Sequence, residues 1–275
     1  LVVRSLLSVV PRLELPPIGL GTYENTDPEV CADSVETALN AGYRHVDTAE
    51  MYGNEDAVGR GIARADVDRE DVIVATKIEP ENLAYEALLE SARGCADRLG
   101  LGRIDLLYVH WPLEAYEPQE TLGALDQLVD EGLIDHVGLS NFTPSLLEEA
   151  IGLLDAPLAA HQVECHALLQ QDELRRMARE HDHHLVAYSP LAKGELFDEP
   201  EIRAVADDYD ATPAQVAIAR LMAKESVVPI PKASTPDHIR ENLAATDISL
   251  DPIDVERIDA IDRERRVVDF DGTPW

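Results

Sequence analysis

Short apolar runs rich in Val, Ile and Leu recur along the whole chain. They lie around Ile18, then at 45–47, 72–76, 104–110, 134–139, 158–163, 184–189 and 227–230. Runs of this length fit buried strands. Between them lie amphipathic stretches long enough for helices, among them 28–40, 83–99, 121–131 and 212–224. Thr143-Pro144 and Thr212-Pro213 each read as a helix N-cap followed by Pro in the first helical position. Eight strand-helix units in 275 residues predict an α/β fold, a single-domain (β/α)8 barrel. Its core is expected over about 16–245. An extra amphipathic segment at 251–261 would then pack outside, within a C-terminal helix and tail reaching 275. The competing fold is a doubly wound sheet. GLGTYE at 19–24 begins like a dinucleotide fingerprint, but Glu24 stands where the third Gly belongs. Polar and charged residues gather instead at the C-terminal ends of many strands, where barrel enzymes keep their chemistry.

Charge changes the picture next. There are 54 acidic and 23 basic residues, a net charge of −31. Such a field repels nucleic acid and anionic membrane surfaces, so neither is an expected partner. The carboxylates are interleaved with apolar periodicity, which fits an acidic shell over an ordinary core. That is the surface expected of a cytoplasmic protein from a high-salt organism, because molar salt cuts the Debye length to roughly 3 Å. Cys31, Cys95 and Cys165 are scattered and odd in number, which argues against a disulfide framework or zinc site and fits a reducing compartment. Each is expected to be a small buried apolar residue. The apolar opening LVVRSLLSVV is broken by Arg4, too short to span a bilayer and without a small-residue cleavage site. The chain begins at Leu1 rather than Met, so a preceding residue or segment is expected. Only Lys77, Lys193, Lys224 and Lys232 supply ammonium groups, so each invites a reason.

Four residues carry candidate chemistry. In GYRHVDTAEMYG, Asp47 and Tyr52 sit where a strand passes into a Gly-containing loop. VIVATK ends in Lys77, and DLLYVH ends in His110. A free phenol titrates near ~10, too high for efficient donation at neutral pH. A neighbouring ammonium favours the phenolate, so Lys77 is expected to lower the value for Tyr52, with Asp47 holding Lys77 in place. His110 would donate a hydrogen bond to a carbonyl oxygen. The plainer alternative is a loop tyrosine beside a structural Asp47–Lys77 pair. His181, His183 and His184 lie close together without a carboxylate pattern, so a surface turn is expected there and no metal site. No GxSxG, HExxH or Walker loop is present.

Asp47, Tyr52, Lys77 and His110 together resemble the catalytic tetrad of the aldo-keto reductases, and further matches run over roughly residues 16–245. The resemblance implies NADP(H), with possible NAD(H) use, a small-molecule carbonyl substrate and a monomer. GLSNF at 138–142 is similar to the segment that holds the nicotinamide carboxamide, which implies that role for Ser140 and Asn141, joined by Gln162 of HQVECH. AYSPLAKG at 187–194 implies that the Tyr188 ring covers one nicotinamide face, with the backbone around Ser189 and Leu191 on the pyrophosphate. Thr22 joins the cofactor set. IPKASTPDHIREN at 230–242 resembles the adenosine-phosphate segment: Lys232 faces the 2′-phosphate, and Glu241 and Asn242 meet the adenine. Two departures stand out. Ala233 replaces a usual serine, and His238 replaces a usual arginine, losing a hydroxyl and a bidentate fork. Tyr23 and Trp111 match aromatic positions of the substrate pocket, which His110 and the adjacent Met51 join; Trp275, being terminal, reads either as a lid over the mouth or as a frayed or packing residue. The implied activity is reduction of aldehydes or ketones with NADPH. A nicotinamide-binding regulatory subunit and a non-redox isomerase or lyase on the same barrel remain the alternatives.

Overall fold

The structure, a computed structural model, describes residues 12–275. The apolar opening at 1–10 lies outside the described residues. Eight strands follow one another: β1 (Leu20–Gly21), β2 (His45–Asp47), β3 (Ile73–Ile78), β4 (Ile104–Val109), β5 (Ile134–Ser140), β6 (Leu158–Glu164), β7 (His184–Tyr188) and β8 (Val227–Pro229). Each pairs in parallel with the next in chain order. The seam closes where Gly19 N donates to Pro229 O (3.0 Å) and Gly21 N to Pro231 O (3.1 Å). Gly21 is required there, because a Cβ would lie 2.8 Å from the Ile230 carbonyl oxygen. The result is a (β/α)8 barrel, as the alternation predicts.

The helices are α1 (Pro28–Ala41), α2 (Glu55–Arg64), α3 (Tyr85–Leu99), α4 (Pro118–Glu131), α5 (Pro144–Leu153), α6 (Asp172–Glu180), α7 (Pro200–Asp208), α8 (Pro213–Met222), α9 (Pro236–Ala244) and α10 (Pro252–Asp259). Proline opens seven of these ten, where its missing N–H costs nothing and its fixed φ suits the first turn. Thr212 completes a capping box with Gln215, whereas Thr143 occupies the N-cap position of α5 without a side-chain bond. The crossover from β7 to β8 contains two helices, α7 and α8. Helix α10 packs outside, its Ile258 meeting Ile202, Val205 and Ala206 of α7. Asp259 at its end pairs with Arg220 and Lys224, which accounts for one of the four lysines.

Ala75, Leu106, Tyr108, Ala160, Val186, Val228 and Ile230 fill the barrel interior around Leu13. Larger apolar layers join the sheet to α3–α6 and to α1, α2 and α9. The three cysteines are buried and free, matching the apolar role expected of them. The three-histidine stretch departs from expectation. His183 and His184 are buried rather than part of a surface turn, because β7 begins at His184 and carries the chain directly into the sheet. His184 Nε2 lies 2.9 Å from the Leu13 carbonyl oxygen. Among the described residues no helix is long and apolar enough to cross a membrane. Nor is any group of three His, Cys, Asp or Glu side chains there arranged to hold a metal ion.

Candidate active site

Parallel register brings the polar strand ends together. Asp47 is opposite Ala75, and Lys77, two residues further along β3, is opposite Tyr108. Residues i and i+2 of a strand share a face, so Asp47 and Lys77 meet inside the barrel mouth. Lys77 is fully buried and donates to Asp47 Oδ1 (2.5 Å) and the Thr48 carbonyl (2.7 Å). It lies one residue inside β3 rather than at its end, since pairing continues to Ile78. His110 follows β4 directly, its N–H donating to Ile78 O.

Tyr52 stands on a single 3-10 turn, Glu50–Tyr52, above this pair. The Lys77 ammonium is 5.1 Å from the centre of its ring, and the His110 ring centre is 5.7 Å away. The turn is pinned by residues that the sequence reading did not single out. Glu50 accepts from Ser91 Oγ (2.5 Å) and Asn82 Nδ2 (3.2 Å). Asn54 joins Thr48 Oγ1 (2.7 Å) to the Thr22 carbonyl (3.0 Å). Thr22 Oγ1 donates to the Asp47 carbonyl, 3.0 Å away, so it braces the end of β2.

The electrostatics are ruled by burial. The Tyr52 phenol is pushed well above its ordinary value, by burial first and by Asp47 second. Burial therefore outweighs the ammonium, contrary to the expectation of a lowered phenol. Burial also pulls Lys77 below its ordinary value, opposed by Asp47. His110 is driven well below its ordinary value by burial and then by Lys77, so the ring is neutral at physiological pH. Tyr52 holds a proton to give, and His110 is an uncharged hydrogen-bonding group.

A second polar set lies beside the first. Ser140 and Gln162 are opposite each other on β5 and β6. Gln162 Nε2 donates to Asp47 Oδ2 (2.7 Å), which ties the second set to the first. Asn141, in the left-handed region at φ 64°, donates to the His110 carbonyl (2.9 Å) and to Ser140 Oγ (3.0 Å). The Tyr188 hydroxyl donates to Asn141 Oδ1 (2.8 Å). Beyond it Ser189, Ala192 and Lys193 all adopt positive φ, a loop conformation in which backbone N–H groups can form an anion-binding concavity. Lys232 is exposed just past β8, and His238 is exposed in the first turn of α9. Glu241 is half-buried and Asn242 buried on the same helix, while Ala233 packs into the core.

Aromatic rings wall the mouth. Tyr23 lies 5.2 Å from Tyr52, and the Trp111 ring is 6.3 Å from His110. Tyr23 and Met51 are about half exposed, whereas Trp111 is buried. The C-terminal tail brings Phe270 to 4.9 Å and Trp275 to 5.4 Å from the Trp111 ring. Arg266 covers Trp275 at 3.9 Å. Phe270, Arg266 and the tail's anchor, Glu164, were not legible as site residues, because only the fold carries the chain's end back to β6.

Comparison with known proteins agrees with this geometry. The Aldo/keto reductase family matches residues 17–263. An aldo-keto reductase of Mycolicibacterium vanbaalenii is 40% identical over 253 residues, 92% of this chain and 90% of that protein. Methylglyoxal reductase DkgB of Escherichia coli O157:H7 is 36% identical over 94% of this chain and 98% of its own length. The crystal structure of a putative 2,5-diketo-D-gluconic acid reductase B superposes with a TM-score of 0.90 at 32% identity, covering 94% of this chain and 92% of the other. The chain belongs to the aldo/keto reductase family and is an NAD(P)H-dependent oxidoreductase of carbonyl groups.

Proposed function

We propose that the protein reduces small aldehydes and ketones to alcohols with NADPH, and that Tyr52 supplies the proton. The observation that carries this reading is the fully buried Lys77–Asp47 pair set directly beneath the Tyr52 ring. A buried ion pair is weak evidence for stability alone, since desolvation offsets its Coulomb gain. Beneath a buried phenol it has a use. As the carbonyl oxygen takes its proton, negative charge grows on Tyr52, and the ammonium is already in place to stabilise it. Asp47 keeps Lys77 charged in a site where burial works against the charge. Neutral His110 orients the carbonyl oxygen by hydrogen bonding, and the aromatic walls limit water.

The donor set fits a nicotinamide cofactor. The Ser140 hydroxyl and Gln162 Oε1 suit a carboxamide, whose donor and acceptor groups they complement. The Tyr188 ring offers an apolar face. The positive-φ loop at 189–193 and exposed Lys232 suit a diphosphate and a 2′-phosphate. When bound, this cofactor supplies the hydride. His238 in place of an arginine weakens discrimination against NADH. The acidic surface supports a cytoplasmic setting at high salt.

Tyr52→Phe tests the assignment. Turnover should fall by at least ~10²-fold, the lower end for positioned acid catalysis, while NADPH still quenches protein fluorescence with little change in affinity. Retention of more than about a tenth of the activity would remove Tyr52 from the role.

A further inference from the structure

The chain's last segment runs back along the loop that follows β6, and three successive anchors fix it there. Gln170 Nε2 donates to the Asp259 carbonyl (2.8 Å), and Arg265 N donates to the Leu168 carbonyl (2.8 Å). At the end of this track Val267 N and Val268 N donate to the Glu164 carboxylate at 2.7 and 2.8 Å. As one segment advances the other recedes, so the tail lies antiparallel to the loop. Glu164 is the last residue of β6 and is 0% exposed. Leu168 N donates to His166 Nδ1 (3.2 Å), which leaves the proton of that ring on Nε2, 2.9 Å from Glu164 Oε1. The carboxylate thus accepts from one side chain and two backbone N–H groups, and both backbone donors belong to the tail. A buried carboxylate is costly unless its lone pairs are used, so Glu164 and the tail each satisfy the other.

We propose that Glu164 is a positioning residue: it latches the C-terminal tail across the barrel mouth, and the latch makes Phe270 and Trp275 part of the substrate wall. The substrates favoured by that wall are carbonyls with an aromatic or other flat apolar substituent, which would stack on its rings. The substrate half of this inference rests on the reductase reading above. The latch takes hold of backbone rather than side chains, so any residue with an N–H at 267 and 268 can supply it, although the Val267 side chain also packs against the apolar cluster of α7 and α8. Glu164 is also opposite Tyr188 in the register of β6 and β7. The tail is therefore fixed to the strand pair that bears the ring assigned to the nicotinamide.

The test uses the chain's only two tryptophans, Trp111 and Trp275, which lie together in the wall. Glu164→Ala should shift tryptophan emission to the red and speed tryptic cleavage after Arg263, Arg265 or Arg266 by at least about fivefold, as a released segment is cut faster. The ratio of KM for 4-nitrobenzaldehyde to KM for propanal should rise about tenfold, since losing uniform binding raises KM rather than lowering kcat. A chain ending at Asp262 should show the same rise, and adding Glu164→Ala to it should change the ratio no further. Unchanged emission and cleavage in Glu164→Ala overturn the latch. A further rise in the truncated chain also overturns it, because Glu164 would then act on the site directly. Truncation leaves Glu164 in place, so if Glu164→Ala does not fold, an unaltered KM ratio in the truncated chain overturns the proposal by itself. Emission and cleavage need no turnover. Both responses in Glu164→Ala, beside a wild-type enzyme that reduces no aldehyde, would refute the reductase reading and leave the latch supported.

Discussion

Replacing Lys77 by Met separates what the buried pair does for catalysis from what it does for the fold. With the ammonium 5.1 Å from the ring centre, Coulomb's law at an effective dielectric of 20 gives about 3 kcal/mol of stabilisation for a phenolate, some two hundred-fold in rate. The kcat for aldehyde reduction should fall by about that factor. NADPH affinity should hold, since Lys77 bonds to Asp47 and Thr48 rather than to the cofactor residues. The fold pays separately. Asp47 would keep only Gln162 as a side-chain partner, and removing one member of a buried pair typically costs about 3–5 kcal/mol. For a chain of this size that lowers Tm by on the order of 10 °C. Adding Asp47→Asn removes the stranded charge and should recover much of the stability without recovering turnover. The assay is NADPH oxidation at 340 nm with saturating aldehyde, beside thermal melts of all three proteins. A Lys77→Met enzyme within about tenfold of wild type would refute the electrostatic role. So would a double variant whose turnover returns with its Tm.

Three further outcomes are expected. Burial holds His45 and His183 at about 4 and His161 at about 3. As pH falls from the ordinary value near ~6.5 towards ~4, the unfolded chain binds protons that the folded chain refuses. Stability therefore drops by up to about 1.4 kcal/mol per pH unit for each histidine. Urea titrations at pH 7.5 and 5 should show the loss, and His161→Leu should reduce it by about one histidine's share; an unchanged slope would count against the assignment. His238→Arg should raise the NADPH-to-NADH ratio of kcat/KM by about three- to tenfold, because a permanently charged fork replaces an imidazole. An unaltered ratio would mean that residue 238 does not meet the 2′-phosphate. Finally, Tm should rise clearly between low and molar KCl, as screening relieves repulsion within a shell of net charge −31; a flat response would remove the high-salt interpretation.

Most of the site was legible because its residues lie at the ends of apolar runs, where the parallel barrel collects them. Asp47, Lys77, His110, Ser140 and Gln162 need only strand order and register to meet. Tyr52 was legible as a residue but not in its electrostatics. Its titration depends on how deeply the Glu50–Tyr52 turn is pressed into the mouth, which Glu50 and Asn54 set through partners on distant elements, Asn82, Ser91 and Thr22. The three-histidine stretch misled for a related reason. His181 and Asp182 do form an exposed turn, while burial of His183 and His184 follows from the position at which β7 begins. Glu164 carries no signal of its own. Apart from the nearby His166 ring, its partners are backbone N–H groups about a hundred residues away, and no side-chain pattern marks those. Helices α2, α6, α7 and α9 were harder to delimit than α3 or α4, being short and mixed in polarity.

The Gln162–Asp47 bond has a consequence for how such an enzyme changes over generations. One amide grips the brace of Tyr52, the proposed proton donor, and belongs to the set proposed for the nicotinamide, so under that reading the two halves of the reaction share a single strut. On that reading, a substitution at 47, 77 or 162 that shifts one half is expected to disturb the other. Tyr23, Met51, Phe270 and Trp275 hang on loops and on the tail, outside that strut. On the proposed roles, a change of carbonyl preference is expected to come from the rim, where one ring can replace another without moving the Asp47–Gln162 strut.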